Sequence, residues 1–415
     1  MSRPSDRWNP VVGHRSEFEQ VFTLTAGPTR ATPATLSALG RPILYPYDPA
    51  FLELYAEMIE LLREAFAAPE TPVVLQGEAV LGLEAAAASL ISRDDVVLNL
   101  VSGLFGKGYG WWARRYAKEV VEVEVPYDSA VDAESVRAAL EARPDVTIVS
   151  VVHCETPSGT MNDLDAIGPV VAAHGALLIV DAASSFAGSP CNFAAWHADL
   201  VVVGPQKCLG GPPGLSMLYL SDAAWEHMEA NPDAPRASIL SILDWKDAHL
   251  PDRLFPFTPS VSDVYALHSC LAQYLAEGPQ SVQSRHRSAA LSARAGAEAL
   301  GLELWAADHS ICADTVTALK VPTGLDEREV RRRARAESGV MLSGGQGDLS
   351  GKVLQIGHMG PNAYPLSPVI ALVALGRALR GFGVQVDVGG AVEAAIAALD
   401  ADQQVWTRGR GRSDP

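Results

Sequence analysis

The sequence predicts an α/β protein: a large domain with a mostly parallel sheet sandwiched by helices, then a smaller C-terminal α/β domain. Three observations predict this. Apolar, β-branched runs alternate with helical patterns from Val73 to Lys207, and the joints between them are short, as in a parallel sheet covered on both faces. Two of the runs, Ala176–Val180 and Leu200–Val203, carry no charge and read as buried strands. After Gly301 the pattern changes to strand, helix, strand, over Thr315–Val321, Glu327–Glu337 and Val353–Ile356. A chain of 415 residues, 48% of them hydrophobic, is long enough for a large core and two domains.

Residues 1–19 are polar and read as a disordered N-terminal tail. The large domain is expected over 20–285, with the N-terminal segment included, and the small one over 286–402. Phe22–Thr25 is a short extended piece running into the turn Ala26-Gly27-Pro28-Thr29-Arg30. Phe51–Phe66 has apolar residues at helical spacing. Val73–Leu75 is a brief strand, and Gly77-Glu78 opens a helix that continues through Leu83–Ala88. Val96–Val101 is a strand and Ser102–Gly106 a loop, followed by an aromatic helix through Trp111 and Trp112. Val120–Val125, Ser135–Ala142, Val146–Val152 and Leu164–His174 read as strand, helix, strand and helix. Arg253–Pro259 is a loop rich in Pro and Phe, and Val264–Leu275 and Ser281–Leu300 are helices, the second long and bridging. Leu366–Gly381 and Ala391–Asp400 are helices that close the small domain. Residues 403–415 are expected to be a disordered tail, basic and Gly-rich from Thr407 onward.

The net charge of −17 argues against nucleic acid and anionic membranes as partners. Cys154, Cys191, Cys208, Cys270 and Cys312 are scattered without C-x-x-C spacing, so neither a disulfide framework nor a metal site is indicated. No apolar run is long enough to span a membrane and no signal-peptide pattern is seen, so the chain reads as cytoplasmic.

Ligands of parallel sheets bind beyond the carboxyl ends of the strands. Asp181 and Lys207 stand at two such ends, and Gly77, Glu78, Phe105 and residues 153–158 at others, so these positions should converge. Alone, the lysine reads equally well as a loop residue, and the aspartate as a turn residue. Together they suit a pyridine-aldehyde site. A carboxylate keeps the ring nitrogen protonated, so the ring can draw electrons, and a lysine amine holds the aldehyde.

Five stretches stand in order along the chain: Gly27-Pro28-Thr29, His153-Cys154-Glu155-Thr156-Pro157-Ser158-Gly159, Val180-Asp181, Gly204-Pro205-Gln206-Lys207 and Ile356-Gly357-His358-Met359-Gly360. With them the chain resembles the fold-type I, class V aminotransferases over roughly residues 20 to 400. Tyr47–Phe51, Gly77-Glu78, Gly82–Ser92, Lys207–Gly210 and Phe255–Ser262 are most like the branch that moves an amino group between pyridoxamine and pyruvate. The resemblance implies a sheet of the seven-stranded type and names roles. Lys207 would be the Schiff-base lysine and proton carrier, and Asp181 the partner of the ring nitrogen. Phe105 would stack on the pyridine, where that branch has tyrosine, and Thr156 or Ser158 would bond the ring's hydroxyl side. Phe257 and Thr258 lie on a loop that in the family reaches the neighbouring subunit's site, which implies a homodimer or a dimer of dimers.

Two features of this resemblance bear on substrate. Phosphate-binding relatives offer small residues and backbone N–H groups at the helix start after Gly77. Glu78 there would repel a phosphate, which favours unphosphorylated pyridoxal or pyridoxamine as co-substrate over pyridoxal 5'-phosphate. The other reading is a glutamate that only complements the helix dipole. Second, the family holds the substrate carboxylate with arginine, and this chain has Gln346 and Gln355 at the matching positions. A glutamine donates hydrogen bonds but has neither charge nor a guanidinium fork, so either Arg30 takes over or the second substrate differs. Three functions stay open: transamination between a pyridoxamine-like amine and a small carbonyl compound; elimination, replacement or carbon–carbon bond formation on a lysine-held ring; and non-catalytic binding of a vitamer. An intact Asp181 and Lys207 argue against the last.

Overall fold

The computed structural model describes residues 22–250 and 252–410, with the backbone alone for 403–410. The expected tail over residues 1–19 lies outside that range, as do residues 411–415.

The seven-stranded sheet runs in the order Val73–Gln76, Leu215–Leu220, Leu200–Val203, Leu177–Asp181, Ile148–Val152, Val96–Val101 and Glu119–Glu124. Leu215–Leu220 is antiparallel to both neighbours, and every other pair is parallel. The inner strands Leu200–Val203 and Ile148–Val152 are buried at every residue, as their unbroken apolar runs require when helices cover both faces. The edge strand Glu119–Glu124 instead mixes Glu with Val and is nowhere buried. Its Glu122 meets Lys107 at 3.0 Å and Arg114 at 2.7 Å, both from the helix Leu104–Tyr116. Such charges keep the edge from pairing with another chain.

Leu215–Leu220 and the helix Asp222–Ala230 are additions to the sequence reading. The strand is apolar but has no β-branched residue and no clear alternation, so neither propensity nor period marks it. The last helix runs Val388–Arg410, so residues 403–410 continue it and do not belong to a disordered tail. The apolar spacing fades after Leu399, but no Gly or Pro interrupts the chain before Gly409. Among the described residues no helix is long and apolar enough to cross a membrane.

A second core, beside the one around the large sheet, gathers Leu319, Leu354, Ile356, Leu372, Leu375 and Leu379. Its three-stranded sheet has the order Val316–Lys320, Val353–Gly357 and Ser343–Gly344. The helix Pro279–Ala299 belongs to both cores, with Val282 in the first and Ala297 in the second. The N-terminal segment also joins them. Phe22–Thr23 pairs in parallel with Val340–Met341, Leu24 sits in the second core, and Ala26 reaches the first. The Gly357 N–H donates to the Leu24 carbonyl at 2.9 Å. A Cβ on Gly357 would lie 1.8 Å from the Thr25 carbonyl oxygen, so only glycine lets the segment press this close. That contact carries the chain to the end of the large sheet, where the chemistry lies.

Candidate active site

Lys207 follows the buried strand Leu200–Val203 after the turn Gly204-Pro205-Gln206. Its Nζ lies 3.5 Å from the Ala26 carbonyl oxygen. A Cβ on Gly27 would stand 2.7 Å from Lys207 Cδ and 2.9 Å from Nζ, and Gly27 has φ of +114°. Both the space and the backbone angle therefore require glycine there. Thr29 closes the contact: its N–H donates to the Gln206 carbonyl at 3.0 Å, and its hydroxyl to the Lys207 carbonyl at 3.1 Å. The amine is held in a cradle of backbone from the N-terminal segment.

Asp181 ends the strand Leu177–Asp181 and is buried. Its Oδ1 accepts from the Ala183 N–H at 2.9 Å, and its Oδ2 has no partner among the described residues. Burial pushes the carboxyl up to about 6; the Ala183 N–H and the Lys207 charge oppose that rise, and the Glu78 charge adds to it. Glu78, Asp181 and Lys207 thus lie within electrostatic reach of one another. A carboxylate oxygen left without a partner on a buried residue, and a cradled amine, are the set that a pyridoxal-type ring needs, so these residues fit the group.

Glu78 is the N-cap of the helix Ala79–Leu90. One carboxylate oxygen accepts from the Val80 N–H at 2.8 Å, and the other accepts from the Gln206 side-chain amide at 2.7 Å. Gly77 before it has φ of +148° and donates its N–H to the Gly214 carbonyl at 2.8 Å. One of the first helical N–H groups, where an anion would bind, that of Val80, already donates to a carboxylate.

Phe105 lies in the first turn of the helix Leu104–Tyr116, half-buried. The Glu155 carboxylate accepts from the Phe105 N–H at 3.0 Å and from the Gly106 N–H at 2.7 Å. Burial pushes Glu155 up to about 7, and those two N–H groups oppose the rise. The Thr156 hydroxyl is 2.5 Å from that of Ser184, both buried. The Ser158 hydroxyl is turned into its own loop, 2.8 Å from Thr160 and 3.3 Å from the Glu155 carbonyl. Gln355 is buried, and its amide donates to the carbonyls of Thr156 at 2.8 Å and Pro157 at 3.0 Å. Gln346 is exposed, but a Cβ on the next residue, Gly347, would stand 2.7 Å from Leu104 Cδ1, so its loop lies beside the Phe105 turn.

Three expected residues stand apart. The Arg30 side chain is exposed and has no partner among the described residues. Phe257 packs edge-on against Trp245 with ring centroids 5.1 Å apart, and Thr258 is exposed; neither bonds to the residues above. The sequence reading passed over Gln206, Glu155 and Ser184 as site residues. Each adjoins or shares a quoted motif, but only the fold shows whom it touches.

The chain matches the model of the class V aminotransferase family over residues 55–356. It is 53% identical over 392 residues to the pyridoxamine–pyruvate transaminase of Mesorhizobium japonicum, covering 94% of this chain and all of that one. The crystal structure of pyridoxamine-pyruvate aminotransferase from Mesorhizobium loti superposes with a TM-score of 0.91 at 53% identity, covering 92% of this chain and 98% of that one. An alanine–glyoxylate aminotransferase structure from Nostoc gives 0.84 at 29% identity, covering 92% of this chain and 100% of that one. The chain therefore belongs to the class V aminotransferases: it is a transaminase that resembles pyridoxamine–pyruvate transaminase and works with a pyridoxal-type cofactor.

Proposed function

We propose that this enzyme transfers an amino group from pyridoxamine, in its unphosphorylated form, to a small carbonyl compound. The observation that carries the reading is the Glu78 carboxylate fixed at the helix N-terminus, bonded to Val80 and Gln206. A phosphate placed there would meet a like charge in a partly dry pocket, a repulsion on the order of several kcal/mol. A hydroxyl would instead find an acceptor.

A pyridoxal-type ring, when bound, supplies an aldehyde carbon and draws electrons while its nitrogen is protonated. The residues of the chain do the rest. Lys207 Nζ would hold the aldehyde and carry the proton, and the Ala26–Gly27 backbone lies against that amine. Asp181 Oδ2 accepts the ring N–H and keeps its proton in place. Phe105 covers one face of the ring, and Thr156 with Ser184 bonds its hydroxyl edge. The loop with Phe257 and Thr258 is assigned to the neighbouring subunit's site in a cytoplasmic homodimer or dimer of dimers. Ile43, Tyr45 and Leu254, apolar and largely exposed, support such an interface. Tyr45 packs against Tyr47, and Tyr47 against Phe255 on that loop.

Gln355 favours a changed second substrate. Its amide donors are already spent on the Thr156 and Pro157 carbonyls, Gln346 has no charge, and the exposed Arg30 has no bond in the site. A carboxylate acceptor would find no forked cation at these positions.

Three outcomes follow from these assignments. Asp181 must be ionised to hold a protonated ring. Burial pushes its carboxyl up to about 6, so affinity for pyridoxamine should rise as pH increases through about 6 and fall below it. In Asp181→Asn that step should vanish in a titration across pH 5 to 8; an unchanged profile would remove Asp181 from the ring nitrogen. Serine also caps helices, so Glu78→Ser should fold normally while improving pyridoxal phosphate binding relative to pyridoxal by roughly a hundredfold. An equal preference in both proteins would end the phosphate-exclusion reading. With pyridoxamine as donor, pyruvate should be a poor acceptor for the native enzyme. The pair Gln346→Arg with Gln355→Arg should raise kcat/KM for pyruvate by more than the product of the single effects. Brisk, saturable alanine formation by the native enzyme would show that the acceptor is ordinary.

A further inference from the structure

The buried carboxylate of Glu155 has no place in the chemistry assigned above. It comes from the two-residue strand Cys154–Glu155, paired with Thr160–Met161. Its side chain crosses to a different element and accepts from two successive N–H groups, those of Phe105 and Gly106. The first N–H groups of a helix have no partner within it. The residue before this helix, Gly103, has no side chain to cap them. A Cβ on Gly103 would lie 2.4 Å from the Glu155 carboxyl carbon. The missing side chain thus makes room for a cap supplied by a residue 50 positions away.

A cap from a distant strand does something that a local cap does not. It ties the first turn of the helix, with Phe105 in it, to the loop that also carries Thr156. A buried, unpaired carboxylate is costly, and any polar N-cap would finish the helix more cheaply. The arrangement ties the backbone of Phe105 to that loop. We propose that Glu155 is a positioning residue that fixes Phe105 over the bound vitamer and so sets vitamer affinity through that ring. This rests on the reading of Phe105 as the ring-covering residue.

Pyridoxal affinity, measured by absorbance titration of the full-length enzyme, tests this in a double-mutant cycle. Glutamine can accept only one of the two N–H groups and turns a donor toward the other. Glu155→Gln should therefore weaken pyridoxal binding about tenfold, the scale of one hydrogen bond to a charged group, and Phe105→Ala should weaken it at least as much. In the double variant the Glu155→Gln effect should vanish, because its route to the ligand is gone. Gly103→Ala, which pushes on the same carboxylate without removing it, should reproduce the loss if Glu155→Gln does not fold. Hydrogen exchange at the Phe105 and Gly106 amides should quicken in Glu155→Gln and Gly103→Ala. If Phe105→Ala binds pyridoxal as well as the native protein, the reading of Phe105 fails, and the inference with it. If Phe105→Ala weakens binding but Glu155→Gln and Gly103→Ala do not, or if the losses simply add, the inference alone is wrong.

Discussion

A carboxylate holds the start of the helix Ala79–Leu90 at the edge of this site. Glu78 caps the helix through Val80 and reaches Gln206, the residue before Lys207. Its negative charge joins burial in raising the Asp181 carboxyl, while the lysine opposes that rise. Glu78 and Lys207 both act electrostatically on Asp181. On the function proposed above, such a set would welcome a protonated pyridine nitrogen and a neutral hydroxyl and would resist a phosphate. On this reading the vitamer is a substrate that leaves, held by ring contacts and not anchored by a phosphate.

The amine is placed by segments far apart in the chain. The N-terminal segment runs from the second core to the first, and its Ala26 and Gly27 backbone lies against Lys207. Gly357, at the end of a strand in the small sheet, holds the same segment from behind. Motion between the two cores would therefore be felt at Lys207. The Gln355 strand adds a second link, because its amide grips the Thr156–Pro157 backbone.

Much of this was legible in the sequence. Asp181 and Lys207 stand out because one ends, and the other closely follows, a run in which any charge is expensive to bury. Glu78 stands out as an acid at a helix start. The bond from Glu78 to Gln206 spans 128 positions, and no local pattern encodes it. The same holds for Glu155, which sits inside a quoted motif but acts on a helix 50 positions earlier. Ser158 looked interchangeable with Thr156, yet the chain turns its hydroxyl inward to Thr160 and leaves Thr156 with Ser184. Spacing alone does not say which way a hydroxyl in a tight loop points. Arg30 was the nearest cation in sequence to the N-terminal turn, but its side chain stands in solvent.

On the proposed function, a carboxylate stands where a cofactor phosphate would otherwise bind. Mass analysis of the small molecule released from the freshly purified enzyme by denaturation tests it most directly, because the cell offers both vitamers and the site chooses. Pyridoxal or pyridoxamine is expected in the released fraction, or an empty site that fills on adding pyridoxal. Stoichiometric pyridoxal 5'-phosphate in that fraction would contradict it.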